Sequence, residues 1–258
     1  MSEILLQLDK VSKHFGGITA VNQVSLALQT GQIKGLIGPN GAGKTTLFNM
    51  ITGVYPVSGG TIRMQQHLLT GLPVHRIARH GIARTFQTVR LFTNLSLAEN
   101  VMVGFHEQLR GGWLATAFGL PWTRQEEHQY RERARQLLDF VGLSQAADTA
   151  AASLPYGQQR LLEIARALAT KPRLLLLDEP AAGLNIAEKL ALGRLVQAIR
   201  QQGVTVLLVE HDMDLVMNIC DELVVLEFGT KIAEGDPAAI RNHPKVIAAY
   251  LGEEDGDD

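Results

Sequence analysis

The stretch GPNGAGKTT, residues 38–46, decides the fold that this sequence predicts. It fits the pattern G-x-x-x-x-G-K-[ST], and it lies between an apolar run, IKGLI at 33–37, and a helical pattern near 44–52. Glycines in such a loop let backbone N–H groups turn inward around phosphate oxygens, and the helix that follows adds partial positive charge at its N-terminus. Because strand, loop and helix come in the required order, the stretch predicts a phosphate-binding loop.

Two side chains of this loop are expected to act on a nucleotide. Lys44 would reach the β and γ phosphates, and the hydroxyl of Thr45 would bind Mg²⁺. The backbone of the loop would supply the other contacts. The predicted nucleotide-binding residues of the loop are Gly38, Pro39, Asn40, Gly41, Ala42, Gly43, Lys44, Thr45 and Thr46.

A second motif, LLLLDEP at 174–180, supplies the carboxylates that phosphate chemistry needs. An apolar strand ends in Asp178, which is placed to organise Mg²⁺, and in Glu179, which is placed to polarise a water. The alternative is a pair of acids that caps a helix after a strand. Since a phosphate-binding loop is already present in the chain, the nucleotide interpretation is favoured. Together the two motifs predict a P-loop NTPase with ATP and Mg²⁺ as ligands.

The composition sets limits on partners and location. A chain of 258 residues with 46% hydrophobic and 19% charged residues predicts one α/β core that carries a smaller subdomain. The net charge of −2 gives no basic surface for a polyanion, so nucleic acid is not an expected partner. The start, MSEILLQLDK, lacks the pattern of a secretory signal, and no apolar run reaches the ~20 residues that span a bilayer. We therefore expect a cytoplasmic protein that can dock on a membrane protein. The single cysteine, Cys220, is predicted to be a buried structural thiol.

Apolar periodicity predicts an alternation of strands and helices. Runs of leucine and valine such as 174–177 and 206–209 are typical of strands buried on both faces, as in a parallel sheet covered by helices. The early strands, through GGTIRM at 59–64, predict an antiparallel β-subdomain. Predicted strands are 4–8, 24–28, 33–37, 173–178, 204–210 and 222–229, and predicted helices lie near 44–52, 158–170, 186–202 and 212–219.

The pattern changes between residues 88 and 153, which predict an inserted helical subdomain. Its first helix would begin at a capping box formed by Ser96 and Glu99, and a second would cover 124–143. A Gly- and Trp-containing segment at 104–124 is predicted to be a loop or short insertion. The ATP-binding core would then comprise 1–87 and 154–258, and its last six residues, EEDGDD, would form a solvated tail.

Three further features narrow the class of NTPase. Gln87 ends the motif RTFQ, where its amide could reach Mg²⁺ or the attacking water, although a surface glutamine is the alternative. His211 follows another strand in LLVEHD and could contact a γ-phosphate, although a structural histidine is the alternative. The stretch LPYGQQR, 154–160, precedes the acidic strand. In this order and over nearly its whole length, the chain resembles the ABC ATPases, the nucleotide-binding subunits of ATP-driven transporters.

The resemblance implies an ABC ATPase fold and a head-to-tail dimer that encloses two ATP molecules. Phe15 would stack on adenine, with a core phenylalanine near a turn as the alternative. Gln87 would begin the lever to the membrane partner. The loop AAGLN, 181–185, would reach across the dimer, and Asn185 replaces the usual aspartate, so the ionic contact expected there is weakened. The signature contacts to ATP would come from Tyr156, Gly157 and Gln158.

The signature itself departs from the family pattern Leu-Ser-Gly-Gly-Gln. Pro155 replaces the serine and lacks both a hydroxyl and a backbone donor, and loss of one hydrogen bond to a charged phosphate costs about 1.5–3 kcal/mol. The N–H of Gly157 and the positive end of the following helix remain, and proline is tolerated where a helix begins. We therefore expect the signature to contact the γ-phosphate with fewer hydrogen bonds and still to function.

Several motif blocks resemble the ATPase subunits of branched-chain amino-acid importers, namely the signature helix, RTFQTVRLFTNLSLAENV, LLLDEPAAGLN, VEHDMDLVM and the C-terminal HPKVIAAYLG. The resemblance implies transmembrane permease subunits and a second ABC ATPase as partners, at the cytoplasmic face of the inner membrane. A heterodimer is favoured over a homodimer. The alternatives are a related transporter of urea, amides or lipopolysaccharide, a soluble ABC ATPase, and a scaffold that binds nucleotide without hydrolysing it. Arg76, Arg79, Arg84 and Arg90 are candidate contacts to a docking helix.

Overall fold

The computed structural model describes residues 3–108 and 121–251. These residues form two compact units. The first runs to Arg84 and adds Arg173–Ala182 and the residues from Ile186 onward, and the second comprises Thr85–Pro172 and Gly183–Asn185. The division into an ATP-binding core of 1–87 and 154–258 and a helical subdomain of 88–153 stays a prediction.

Two sheets lie in the first unit. The strands in chain order are β1 Ile4–Phe15, β2 Ile18–Gln29, β3 Ile33–Ile37, β4 Gly59–Met64, β5 His67–Leu68, β6 Ile82–Arg84, β7 Leu174–Asp178, β8 Thr205–Val209, β9 Glu222–Glu227 and β10 Thr230–Gly235. A six-stranded sheet has the order β10-β9-β3-β8-β7-β6, in which only β10 is antiparallel to its neighbour. A four-stranded antiparallel sheet has the order β2-β1-β4-β5. The predicted α/β fold with a mostly parallel sheet and an antiparallel β-subdomain is confirmed.

The helices that the structure describes connect and cover these strands. They are α1 Lys44–Ile51, α2 Val74–Arg79, α3 Leu97–Val103, α4 Pro121–Phe140, α5 Tyr156–Ala169, α6 Ile186–Gln201, α7 Met213–Ile219, α8 Pro237–Arg241 and α9 Pro244–Leu251. Within residues 3–108 and 121–251, no helix combines the length and apolar character needed to cross a bilayer.

The core of the first unit is the apolar layer between the two sheets and α1. Leu6 and Val24 of the antiparallel sheet, Phe48 of α1 and Leu176 and Leu207 of the parallel sheet are buried in one cluster. All five residues of β7 and of β8 are buried, as their continuous apolar runs predicted. The parallel strands are thereby packed in the core, with their carboxyl ends along one edge of the sheet.

A buried lysine interrupts the apolar pattern of the central strand β3. Lys34 is 1% exposed, and its Nζ lies 2.8 Å from a carboxylate oxygen of Glu222 and 2.8 Å from one of Glu234. It also donates to the carbonyl of Ala27. Charge pairing and hydrogen bonds therefore let a charged residue occupy a strand that is otherwise apolar.

The second unit contains α3, α4 and α5, which pack on one another. The predicted capping box is confirmed: Ser96 Oγ accepts from the Glu99 N–H, and the Ser96 N–H donates to Glu99 Oε2 at 2.8 Å. Of the predicted loop at 104–124, residues 109–120 lie outside the described residues, and 121–124 belong to α4 instead. The predicted solvated tail at 253–258 also lies outside the described residues.

Candidate functional site

The carboxyl ends of neighbouring parallel strands bring three predicted motifs to one edge of the sheet. β3 leads into the loop at 38–43, β7 ends at Asp178, and β8 is followed by Glu210 and His211. β8 lies between β3 and β7 in the sheet, so the three strand ends are adjacent. In open α/β sheets this edge is where ligands bind.

The phosphate-binding loop has a backbone that only glycine can form at two points. Gly38 has φ +143°, and a Cβ there would lie 2.0 Å from the carbonyl oxygen of Leu226. Gly43 has φ +98°, and its Cβ would lie 2.5 Å from the carbonyl oxygen of Ala20. The loop therefore fits between β9 and β2 because side chains are missing at these points. Helix α1 begins immediately afterwards, at Lys44.

The ammonium of Lys44 lies within its own loop. The side chain is buried, and Nζ donates to the carbonyls of Gly38 at 2.5 Å and Pro39 at 2.8 Å. Thr45 is exposed and Thr46 half-buried on the first turn of α1. The positive charge and the hydroxyl groups thus lie at the N-terminus of a helix, where anions are favoured.

Asp178 is held by Arg84, the first residue of the RTFQ motif that ends at Gln87. Arg84 Nη2 lies 2.7 Å from Asp178 Oδ2, and Arg84 Nη1 donates to Asn49 Oδ1 at 2.7 Å. Side-chain exposure is 8% for Arg84 and 2% for Asp178. The prediction that Arg84 contacts a docking helix is therefore wrong, because its guanidinium is buried against α1 and β7.

Glu179 follows with an unusual backbone conformation. Its φ is +47°, a region that residues other than glycine seldom adopt, and its N–H donates to the carbonyl of Val209 at 2.9 Å. This hydrogen bond joins the turn after β7 to the end of β8. The side chain is half-buried. Such strained positions cluster at functional sites.

The loop after β8 carries an exposed imidazole beside a buried carboxylate. His211 is exposed, whereas Glu210 is 0% exposed. Glu210 Oε1 accepts from the N–H of Ala181 at 2.7 Å, and Oε2 accepts from the N–H of His211 at 3.2 Å. Burial raises the pKa of the Glu210 carboxyl despite these hydrogen bonds.

Phe15 lies at the end of β1, among side chains of the first unit. Phe15 is 42% exposed, and its ring makes an edge-to-face contact with Tyr55 at a centroid distance of 5.3 Å. Lys13 Nζ lies 4.8 Å from the centroid of the Phe15 ring and donates to the carbonyl of Pro56. The core alternative for Phe15 is therefore not the observed state, since the ring is partly open to solvent.

The signature stretch opens helix α5 in the second unit. Pro155 is the N-cap, and its carbonyl accepts from the N–H of Gln159 at 3.0 Å, so proline lies where no intrahelical N–H is required. Tyr156 and Gln158 are exposed and Gly157 is half-buried. The N-terminal turn of a 14-residue helix is thus accessible at these positions.

The same helix binds the backbone of the Gln87 segment. Arg160 is 2% exposed and donates to the carbonyls of Phe86, at 2.6 Å, and Gln87. It also donates to the Tyr156 hydroxyl at 2.8 Å, which gives the tyrosine of this signature a structural partner. Glu163 Oε1 accepts from the N–H of Phe86 at 3.3 Å. Gln87 itself is exposed and lies three residues beyond the end of β6. The sequence pattern predicted it at the strand end itself.

The structure therefore groups the predicted residues in two sets, each within one unit. The first unit holds Phe15, the loop at 38–46, Asp178, Glu179 and His211, and the second holds Gln87 and the signature residues. Among the described residues, no three His, Cys, Asp or Glu side chains gather as a metal site.

Comparison with known proteins identifies the family. A family model described as "ABC transporter" matches residues 21–182, more than half of the chain. The chain belongs to the ATP-binding subunits of ABC transporters. This ABC ATPase also matches, at residues 230–256, a model described as "Branched-chain amino acid ATP-binding cassette transporter". It binds ATP and hydrolyses it, as the family does.

Relatives match this ABC ATPase over nearly its full length. The high-affinity branched-chain amino acid transport ATP-binding protein BraF of Pseudomonas aeruginosa is 48% identical over 254 residues, covering 98% of this chain and 100% of BraF. The crystal structure of the ADP conformation of MJ1267, an ATP-binding cassette of an ABC transporter, has a TM-score of 0.85 and 32% identity over 97% of this chain and 100% of that chain. The dimeric post-hydrolysis structure of the ATP-binding cassette MJ0796, bound to ADP and Pi, has a TM-score of 0.77 and 25% identity, and the match covers 90% of this chain and 99% of that chain.

Four buried charged residues of this ABC ATPase hold the predicted ones in place, and the sequence assigned this role to none of them. They are Arg84, Arg160, Glu163 and Glu210. Each is a charged residue inside or beside an apolar run, which is the one signal that could have pointed to them. The pattern could not say which partner would satisfy the charge.

Proposed function

We propose that this ABC ATPase powers a membrane importer for branched-chain amino acids. The observation that carries the proposal is the full-length similarity to a branched-chain amino acid transport subunit, together with the C-terminal family match at 230–256. The urea, amide and lipopolysaccharide alternatives are disfavoured by this full-length similarity. A soluble ABC ATPase and a non-hydrolysing scaffold are likewise disfavoured by the family assignment.

The triphosphate of ATP binds at the loop of residues 38–46. Backbone N–H groups of the loop and the N-terminus of α1 receive the phosphates. On binding, Lys44 replaces its hydrogen bonds to the carbonyls of Gly38 and Pro39 with hydrogen bonds to β- and γ-phosphate oxygens. Its ammonium therefore already lies within the phosphate-binding loop before the nucleotide binds. The adenine stacks on Phe15, whose ring is oriented by the edge-to-face contact with Tyr55.

The side chains of this site suit Mg²⁺. Thr45 and Asp178 offer hard oxygen ligands, and Mg²⁺ is held in nucleotide sites by one or two such groups together with phosphates. The Gln87 amide is the third proposed ligand. When bound, Mg²⁺ neutralises developing charge on the phosphates. Arg84 fixes the orientation of Asp178, because it donates to Oδ2 inside the protein.

Hydrolysis uses the two strand ends beside the loop. Glu179 orients the attacking water and accepts its proton, and the strained turn at this residue fixes the carboxylate relative to β8. His211 contacts the γ-phosphate from the end of β8. The two residues are joined through the main chain because the Glu179 N–H bonds to Val209, two residues before His211.

A second ATPase subunit completes each site. In the dimer of the related cassette, two copies assemble, and we infer the same head-to-tail arrangement here, with a different ATPase as the cellular partner. Gly157 N–H and the N-terminus of α5 face the γ-phosphate bound by the partner, with Tyr156 and Gln158 beside it. The loop at 181–185 crosses to the partner, where Asn185 forms a neutral contact.

The transmembrane permease subunits dock near Gln87 at the cytoplasmic face of the inner membrane. The remaining arginines of the docking hypothesis, Arg76, Arg79 and Arg90, are candidates to contact carboxylates of the permease. Arg160 and Glu163 bind the backbone of residues 86 and 87, so movement of the signature helix is passed to this docking segment.

Copurification tests the assembly. The tagged chain would be isolated from gently solubilised native membranes, and the proteins that accompany it would be identified by mass spectrometry. We expect two membrane subunits and a second, related ATPase. Charge reversal of Arg76, Arg79 and Arg90 should release the membrane subunits, whereas reversal of Arg135, whose pair with Asp148 is exposed, should not. Recovery of ribosomes, or of the chain alone, would contradict the importer assignment.

A further inference from the structure

The loop that carries His211 is tied to the segment that follows Glu179 by a buried carboxylate. Glu210 Oε1 accepts from the N–H of Ala181 at 2.7 Å, and Oε2 accepts from the N–H groups of His211 at 3.2 Å and Asp212 at 3.4 Å. Glu210 has no solvent exposure. One side chain thus satisfies backbone donors from two different loops.

A second tie joins the same loop to helix α6. Asp212 Oδ2 lies 2.6 Å from Lys189 Nζ, and Asp212 Oδ1 accepts from the N–H of Leu215, which caps α7. The loop at 210–212 is therefore held at Ala181 on one side and at Lys189 on the other. These two anchors lie just before and just after the loop at 183–185.

Neither the Glu210 contacts nor the Asp212–Lys189 ion pair is needed to begin helix α7. Asp212 alone provides the N-cap of α7. Glu210 adds no cap to α7, and burial of its carboxylate is unfavourable, as the raised pKa of this group reflects. The three N–H groups offset that cost only while both loops keep their positions. The contacts of Glu210 thus make one loop position depend on the other.

We propose that Glu210 is a positioning residue that fixes His211 relative to Glu179, with the Asp212–Lys189 pair as a second tie. Contact of His211 with the γ-phosphate and placement of the Glu179 carboxylate are then set together. This inference rests on the roles proposed above for Glu179 and His211.

Isosteric and charge-retaining variants test the inference in the full-length chain. Glu210→Gln must turn an amide NH₂ towards at least one of the three N–H groups, so one loop is released. We expect kcat for ATP hydrolysis to fall about tenfold or more, because small displacements of catalytic groups have effects of this size, with the Kd for ATP changed by less than twofold. Lys189→Met should lower kcat less, and Lys189→Arg should restore it.

A matched control comes from the other end of the same helix. Arg200 pairs with Asp221 at 2.9 Å and is about as exposed as Lys189, so Arg200→Met removes a comparable ion pair far along α6 from His211. Its kcat should equal that of the wild type. A fall in kcat for Arg200→Met equal to that for Lys189→Met would show that any lost pair on α6 has this effect, and would overturn the inference.

A double-mutant cycle with His211→Ala separates positioning from general stability. If Glu210 acts through His211, adding Glu210→Gln to His211→Ala should change the residual single-turnover rate by less than twofold. Equal losses in both backgrounds would refute the inference. Wild-type kcat in Glu210→Gln together with a reduced kcat in His211→Ala would also refute the inference. That outcome would leave the proposed function intact. Wild-type kcat in His211→Ala would instead refute the role of His211. If Glu210→Gln does not fold, Lys189→Met and Lys189→Arg carry the same comparison.

Discussion

The guanidinium of Arg84 and the carboxylate of Asp178 form a buried ion pair, with Arg84 Nη2 2.7 Å from Asp178 Oδ2. Arg84 is the last residue of β6 and Asp178 the last residue of β7, so the pair joins two neighbouring parallel strands at their carboxyl ends. Arg84 also donates to Asn49 of α1. One arginine therefore fixes the acidic strand end against the helix that begins at the phosphate-binding loop.

Replacement of Arg84 by methionine should destabilise the protein strongly. The change leaves the Asp178 carboxylate buried without its guanidinium, and breaking a buried pair in this way costs about 3–5 kcal/mol. Urea denaturation would measure the free energy of unfolding. Arg135→Met is the matched control, because its pair with Asp148 is exposed and such pairs contribute about 0–1 kcal/mol. Equal losses in the two variants would contradict the account of the Arg84 pair.

Glu179→Gln should keep ATP binding and nearly stop turnover. The amide has the shape of the carboxylate but cannot accept a proton, and loss of a general base costs about 10²–10⁴ in rate. Nucleotide binding and steady-state hydrolysis, measured on the same preparation, separate the two effects, and the variant should accumulate as an ATP-bound dimer. Near-normal hydrolysis would remove Glu179 from the role of base.

Arg160→Met should loosen the Gln87 segment. Arg160 donates to the carbonyls of Phe86 and Gln87, so its loss frees the backbone of these two residues. Hydrogen–deuterium exchange followed by mass spectrometry should show faster exchange of peptides that cover this segment. Arg133→Met, which removes a cation–π contact with Tyr130 in the same unit, should leave the segment unchanged. Unchanged exchange in Arg160→Met would contradict a link between signature helix and docking segment.

Glu234, which pairs with Lys34 and Lys231, predicts a pH dependence of the free energy of unfolding. Burial acts to raise the pKa of Glu234, but hydrogen bonds and charge from Lys231 and Lys34 hold it below the ordinary value of 4.5. The folded protein therefore binds this proton less readily than the unfolded chain, and the contribution to stability is complete above pH 4.5 and is lost as pH falls through the lowered pKa. In Glu234→Gln, unfolding free energy should depend less on pH in this acid range. An unchanged slope would contradict the prediction.

The elements predicted from the sequence are those whose local pattern is strong. β3 has its predicted bounds because an apolar run is followed at once by the glycines of the loop. β1 is longer than predicted because pairing with β2 and β4 continues through polar residues that have no apolar signal. β5 and β6 are too short to show a period, and β10 is partly exposed. Tertiary pairing decides these elements.

The candidate site divides in the same way. Its sequence motifs located Lys44, Asp178 and Glu179 because each motif follows directly from the end of a strand. The partners of these residues come from distant parts of the chain, and 94 residues separate Arg84 from Asp178. No local pattern specifies such a pairing. The buried thiol of Cys220 was predictable from its apolar neighbours, and burial raises the pKa of that thiol, in keeping with a structural role.

Uptake of radiolabelled leucine tests the central claim most directly. Cells that lack this chain would be complemented with the wild type, with Glu179→Gln, or with Arg200→Met as a control outside the site. Leucine uptake should return with the wild type and with Arg200→Met, and should stay at the background level with Glu179→Gln. Uptake that is unaffected by loss of the chain, or that Glu179→Gln restores in full, would contradict the proposal that its ATP hydrolysis powers branched-chain amino-acid import.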